Sequence, residues 1–137
     1  MPTYFLAKTD PETYSIDDLQ HDGKTVWDGV HNYQAINVIK TWKPGDLIFI
    51  YHSLGEAAIV GLAEVIGNPH PDANDKRGIS WCAEIQYLQT YPPQQRVTLA
   101  QVKQSGQFND FALVRQSRLS TMECPITFVN WVLDKIG

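Results

Sequence analysis

The chain has 137 residues, 43% apolar and 19% charged, which fits one globular domain with one core over residues 1–137 and excludes a disordered chain. Its formal net charge is −4. That excludes a protein that coats nucleic acid by charge alone, because counterion displacement needs many Lys and Arg.

In chain order, Tyr4 to Ala7 reads as a short strand ended by the turn at Asp10 and Pro11. Ser15 with Asp18 reads as an N-cap with acidic support, opening a short helix from Ile16 to His21 that stops at Gly23. Trp27 to Ala35 (WDGVHNYQA) starts as loop and runs into a helix from Tyr33 to Thr41, where Tyr33, Ile36 and Ile39 fall at helical spacing. After Pro44-Gly45-Asp46, Leu47 to His52 is a strand apolar enough to be buried on both faces. Ser53 to Glu56 is a turn, and Ala58 to Ile66 a second strand antiparallel to the first, with Gly61 marking a bulge or a close backbone approach. Gly67 to Gly78 is a solvated loop carrying Asp72, Asp75, Lys76 and Arg77. Trp81 to Leu88 is a strand with Trp81, Ala83, Ile85 and Tyr87 on one face. Thr98 caps a helix through Lys103 closed by Gly106. Ala112 to Cys124 is part loop and part strand. Pro125 suits the first turn of a last helix whose stripe is Val129, Val132, Leu133 and Ile136. The class is α+β: a small, curved, mixed or antiparallel sheet with short helices around it, without the regular alternation of a doubly wound sheet.

Cys82 and Cys124 form no CxxC or Cys/His cluster, and the histidines at 21, 31, 52 and 70 have no HxxxH spacing. Neither a disulfide framework, a metal site nor a cofactor is expected, and the thiols read as buried in a reducing cytoplasm. The opening residues lack a basic stretch followed by a long apolar run, and Leu47–Tyr51 and Ala57–Ala63 are far short of a membrane span. An intracellular, cytoplasmic protein is therefore expected.

Few motifs suggest catalysis. His52 and Ser53 are adjacent on a strand, so they point to opposite faces and cannot form a dyad. Gly23-Lys24-Thr25 lacks the earlier Gly of a phosphate loop, where Asp18 stands instead. An enzyme acting on a nucleotide-like ligand would need His52 or Asp28 as its base, without a nucleophile–base–orienter set. WDGVHNYQA gathers Trp27 and Tyr33 with Asp28, Asn32 and Gln34, and Gly29 admits a ligand close to the backbone. An aromatic face stacks on a base and amides pair with its edge; the competing reading has Trp27 plugging the core. In LVRQSRLS, Arg115 and Arg118 are two of four Arg in the chain. With Ser117 and Ser120 they suit a phosphate, or simply solvate the surface.

Tyr4–Lys8, the SIDDL of Ser15–Leu19, WDGVHNYQA, Gly45–Ser53 (GDLIFIYHS), Ile59–Val65 (IVGLAEV), Pro71-Asp72, Trp81 and LVRQSRLS, in this order, resemble the EVE domain family and its thymocyte nuclear protein relatives. The resemblance covers nearly the whole chain. It implies a PUA-like fold, a small barrel-like mixed sheet with peripheral helices. It implies a non-catalytic module that captures a modified or flipped base of RNA or DNA. The implied base pocket has Trp27, Gly29, Val30, Asn32 and Tyr33, with Tyr51, His52 and Ser53 from the strand end. Arg115, Ser117, Arg118 and Ser120 would hold phosphate. Family members often carry VRNYQAR, where this chain has His31 and Ile36 in place of two cations.

Overall fold

The computed structural model describes residues 2–137. Its elements are β1 (Tyr4–Thr9), α1 (Ile16–Asp22), β2 (Lys24–Trp27), α2 (Tyr33–Ile39), β3 (Leu47–His52), β4 (Ala58–Val65), β5 (His70–Pro71), β6 (Trp81–Thr90), β7 (Val97–Thr98), α3 (Leu99–Ser105), α4 (Ala112–Arg115), β8 (Thr121–Glu123) and α5 (Ile126–Ile136). The strands form a mixed sheet in the order β2-β6-β4-β3-β1-β8, with β5 added to β6 and β7 to the start of β4. β1 and β3 are parallel, from Tyr4 opposite Leu47 to Thr9 opposite His52. Every other strand pair among the described residues is antiparallel. The path is open at β2 and β8, so the sheet curves without closing into a barrel.

Local chemistry explains the helix starts. Ser15 and Asp18 form a complete capping box on α1, and Thr98 and Gln101 form another on α3. Asn32 caps α2 with its own side chain, accepting from Ala35 N at 3.0 Å.

The curvature has a visible source. The β3–β4 register shifts between Ile50 and Tyr51, and the β4–β6 register between Leu62 and Ala63. The first shift leaves Val60 of β4 as the extra residue and the second leaves Leu88 of β6, and such a residue bends and twists the strand that carries it. Gly61 lies between the two shifts, and a Cβ there would stand 2.6 Å from the Gln89 carbonyl oxygen and collide with the Ile16 side chain. The glycine is what lets α1 seat its first residue against the sheet. The core is continuous, from Phe5, Leu6, Ile48, Phe49 and Ile50 in the sheet to Leu19, Ile36, Phe128 and Val132 from the helices.

Several details differ from the sequence reading. β2 was not expected, and its last residue, Trp27, is strand rather than the start of a loop; it pairs with β6 from Lys24–Gln86 to Trp27–Ala83. β6 runs two residues beyond Leu88, and α2 ends two before Thr41. On α5 the buried residues are Phe128, Val129 and Val132, while Leu133 is 40% exposed. Phe128 takes the place in the stripe because it packs on Phe108 and Phe111. Both cysteines are free and buried, and burial raises their pKa values. No helix among the described residues is long and apolar enough to cross a membrane.

Candidate nucleobase cavity

The ends of β1 and β2, the β1–α1 loop and the segment after β2 enclose a half-open cavity of about 600 Å³, within the range of roughly 300–1,000 Å³ typical of small-molecule sites. Its wall comprises Lys8, Thr9, Thr13, Tyr14, Thr25, Val26, Trp27, Asp28, Gly29, Val30, His31 and Ser120. Trp27 is the last residue of β2, 8% exposed, and belongs both to the core cluster and to the cavity wall. The two readings of this indole therefore meet in one side chain. Tyr14 stands just before the α1 cap, and its hydroxyl donates to Asp22 Oδ2 at 2.7 Å. Burial and the Asp22 hydrogen bond raise its pKa, so it presents a neutral phenol.

The Gly29–His31 wall is held from outside by residues 72–80. Gly29 N–H points at Asp72 Oδ2 at 3.5 Å, and the Ser80 hydroxyl donates to the buried Val30 carbonyl at 2.6 Å. Arg77 donates to the His31 carbonyl at 3.2 Å and lies 3.3 Å from His31 Nδ1. A guanidinium only donates, so a hydrogen bond between the two has Nδ1 as its acceptor. The segment is itself knotted around Asp75, which accepts from Ser80 N at 2.7 Å, Ile79 N at 3.1 Å and Arg77 N at 3.2 Å. The Ser80 hydrogen bond, with those of Ile79 and Arg77, holds the Asp75 carboxyl at a pKa of about 2.

Lys8 supplies the cation. Its ammonium donates to the Ser117 carbonyl at 3.0 Å and lies 5.5 Å from the Tyr51 ring centroid. Burial lowers its pKa. No carboxylate pairs with it among the described residues, so donors remain for a ligand.

Of the residues expected in the base pocket, Trp27, Gly29 and Val30 line this cavity, and Ser120, expected at phosphate, lines it too. Five others lie elsewhere, each for a physical reason. Asn32 uses its carboxamide oxygen as the α2 cap. Tyr33, 67% exposed, projects to solvent. Tyr51 is buried at 3%. His52 Nε2 accepts the Ile16 N–H at 3.0 Å, which anchors α1 and occupies the nitrogen a catalytic base would need. Ser53 donates through its hydroxyl to the Thr9 carbonyl at 3.3 Å. Arg115, Ser117 and Arg118 share a groove of about 300 Å³ with Asn32, Gln34, Gln116 and Leu119.

Tyr14 and Lys8 escaped the motif reading, although each left a signal. Lys8 is a charge inside the apolar strand YFLAKT, and Tyr14 is an aromatic next to a capping serine. No group of three or more His, Cys, Asp or Glu among the described residues is placed to hold a metal.

Comparison with known proteins places this geometry in a family. A model described as "EVE domain" matches residues 3–135. Thymocyte nuclear protein 1 of Rattus norvegicus is 39% identical over 84 residues, a match covering 53% of this chain and 37% of that protein, so the chain spans little more than a third of that relative. The crystal structure of human THYN1 protein in complex with 5-methylcytosine containing DNA superposes with a TM-score of 0.85 at 25% identity, covering 96% of each chain. The YTH domain of Zygosaccharomyces rouxii MRB1 protein, solved with N6-methyladenosine RNA, superposes with a TM-score of 0.58 at 18% identity, over 98% of this chain and 86% of that one, a likeness of fold alone. With 3–135 of 137 residues matched, the chain belongs to the EVE domain family.

Proposed function

We propose that this chain is a non-catalytic module that takes a modified nucleobase of RNA or DNA into the cavity beside Trp27. The observation that carries the reading is that two aromatic rings, Trp27 and Tyr14, line one half-open cavity together with hydroxyls, an unpaired ammonium and the open backbone of Gly29. Flat rings recognise a base by stacking, and the polar groups around them read its edge. The likeness to human THYN1, solved with 5-methylcytosine containing DNA, supports the same ligand class.

The energies are compatible. Extruding a base costs a few kcal/mol, least for an unpaired one. Stacking on an aromatic returns ~1–3 kcal/mol per base. A methyl group adds roughly 0.8 kcal/mol of apolar burial, so discrimination of the modification rests on the shape of the Gly29–His31 wall as well as on transfer energy. Arg115, Ser117 and Arg118 hold backbone phosphate beside the cavity, with Lys8 between the two regions.

The test is a panel of short oligonucleotides with and without 5-methylcytosine, 5-hydroxymethylcytosine or N6-methyladenine, bound to the wild type, Trp27→Ala and Tyr14→Ala. At least one modified oligonucleotide binds the wild type, and each variant loses roughly tenfold or more, in line with one lost stack. Circular dichroism checks that the variants are folded. Folded wild type that binds none of the panel, or Trp27→Ala with undiminished affinity, rules the reading out.

A further inference from the structure

The groove beside the base cavity has a composition of its own. Asn32, Gln34, Arg115, Gln116, Ser117 and Arg118 line it. Neither arginine takes part in an ion pair among the described residues, although the chain has 15 acidic against 11 basic side chains. Two unpaired cations three positions apart on an acidic protein form a local site for anions. Between Asn32 and Gln34 stands Tyr33, the first residue of α2, 67% exposed. The Asn32 oxygen is engaged by Ala35 N, which leaves its NH2 as a donor. The groove adjoins the base cavity, because Lys8 of the cavity wall donates to the Ser117 carbonyl in the groove wall at 3.0 Å.

We propose that this groove and Tyr33 form a second nucleotide site, which receives the unpaired neighbour of the captured nucleotide. The neighbour's base stacks on the Tyr33 ring, and the phosphate joining the two nucleotides lies against Arg115 and Arg118. The inference rests on the base-capture reading and extends it: the ligand is at least two nucleotides of single-stranded or opened nucleic acid. Every base has a π-face, so Tyr33 adds affinity without choosing a sequence. Selectivity stays with the cavity, and the groove supplies grip and salt dependence.

The experiment compares four probes for each of 5-methylcytosine, 5-hydroxymethylcytosine and N6-methyladenine: the deoxynucleoside monophosphate, a trinucleotide with the modified base at its centre, and that trinucleotide with an abasic residue on its 5′ side or on its 3′ side. The wild type binds the intact trinucleotide about tenfold tighter than one of the abasic forms, as expected for one stack. Tyr33→Ala binds the two alike, at the weaker level, and Tyr33→Phe restores the difference. The monophosphate binds wild type and Tyr33→Ala equally, which separates loss of the second site from damage to the fold. Arg118→Gln lowers the slope of log affinity against log salt by about one.

Tyr33→Ala that binds the intact trinucleotide as tightly as the wild type overturns the proposal. Equal loss of the monophosphate also overturns it, because Tyr33 would then belong to the capture site itself. Wild type that binds monophosphate and trinucleotide equally removes the second site and leaves base capture standing. Wild type that binds none of the probes removes both.

Discussion

His52 shows how a side chain that looks catalytic in a sequence is committed to the fold. Its Nε2 accepts the Ile16 N–H, and only the neutral ring has a lone pair to do so. Burial, reinforced by the Arg96 charge and opposed by Asp17, lowers its folded pKa below the ordinary 6.5. The unfolded chain therefore takes up the proton first as the pH falls. The stability contributed by neutral His52 is present above the unfolded value, is lost as the pH falls toward the lowered folded value, and levels off below it. Denaturant midpoints at about pH 7.5 and about pH 5.5 should differ more for the wild type than for His52→Gln, which has no imidazole to titrate. Equal differences would mean that another group governs acid stability. Trp27 teaches the complementary lesson. Its type and the nearby Gly29 suggested a ligand wall, but residue type alone could not separate that from a core plug; at 8% exposure the side chain packs in the core and also lines a cavity.

Among the elements, the segment 72–80 departs furthest from what its composition suggests. It reads as a solvated loop, yet it contacts each of Gly29, Val30 and His31 in turn. Asp75 ties Arg77, Ile79 and Ser80 together, and Ser80 and Arg77 pass that order to the cavity wall. Asp75→Ala should speed amide hydrogen exchange at Ile79 and Ser80, whose acceptor is lost, and also at Gly29–His31, with little change in global unfolding. Unchanged protection at Gly29–His31 would show that the wall keeps its shape without the loop. Ser80→Ala acts more directly, leaving the buried Val30 carbonyl without its 2.6 Å partner, at a cost of roughly 1–3 kcal/mol measurable by denaturant titration. The helices that carry both halves of a capping box, α1 and α3, were legible because the signal lies within four consecutive residues. β2 was not, because Lys24–Trp27 is too short to show a period and is a strand only by pairing with β6, about sixty residues away in sequence.

For the whole molecule, the decisive position is Gly61. It lies where two register shifts meet and where α1 presses on the sheet. Gly61→Ala should lower stability by roughly 1–3 kcal/mol through overpacking, seen as a lower denaturant midpoint with an unchanged slope. An unchanged midpoint would mean that α1 shifts freely. By itself the sequence determined the α+β class, the four longest strands, most of the helices, the Ser15 and Thr98 caps and the family resemblance, and it singled out the aromatic, glycine-bearing segment from Trp27 as a candidate site. These are properties of composition, spacing and local hydrogen bonding, which act over a few residues. Only the tertiary structure decided which side chains share the cavity: it brought Lys8, Tyr14 and Ser120 to Trp27, turned Tyr33 out to solvent, and gave His52 to α1. That partition depends on contacts between residues far apart in the chain, as from Lys8 to Ser117 or from Val30 to Ser80, and no local pattern encodes such a distance.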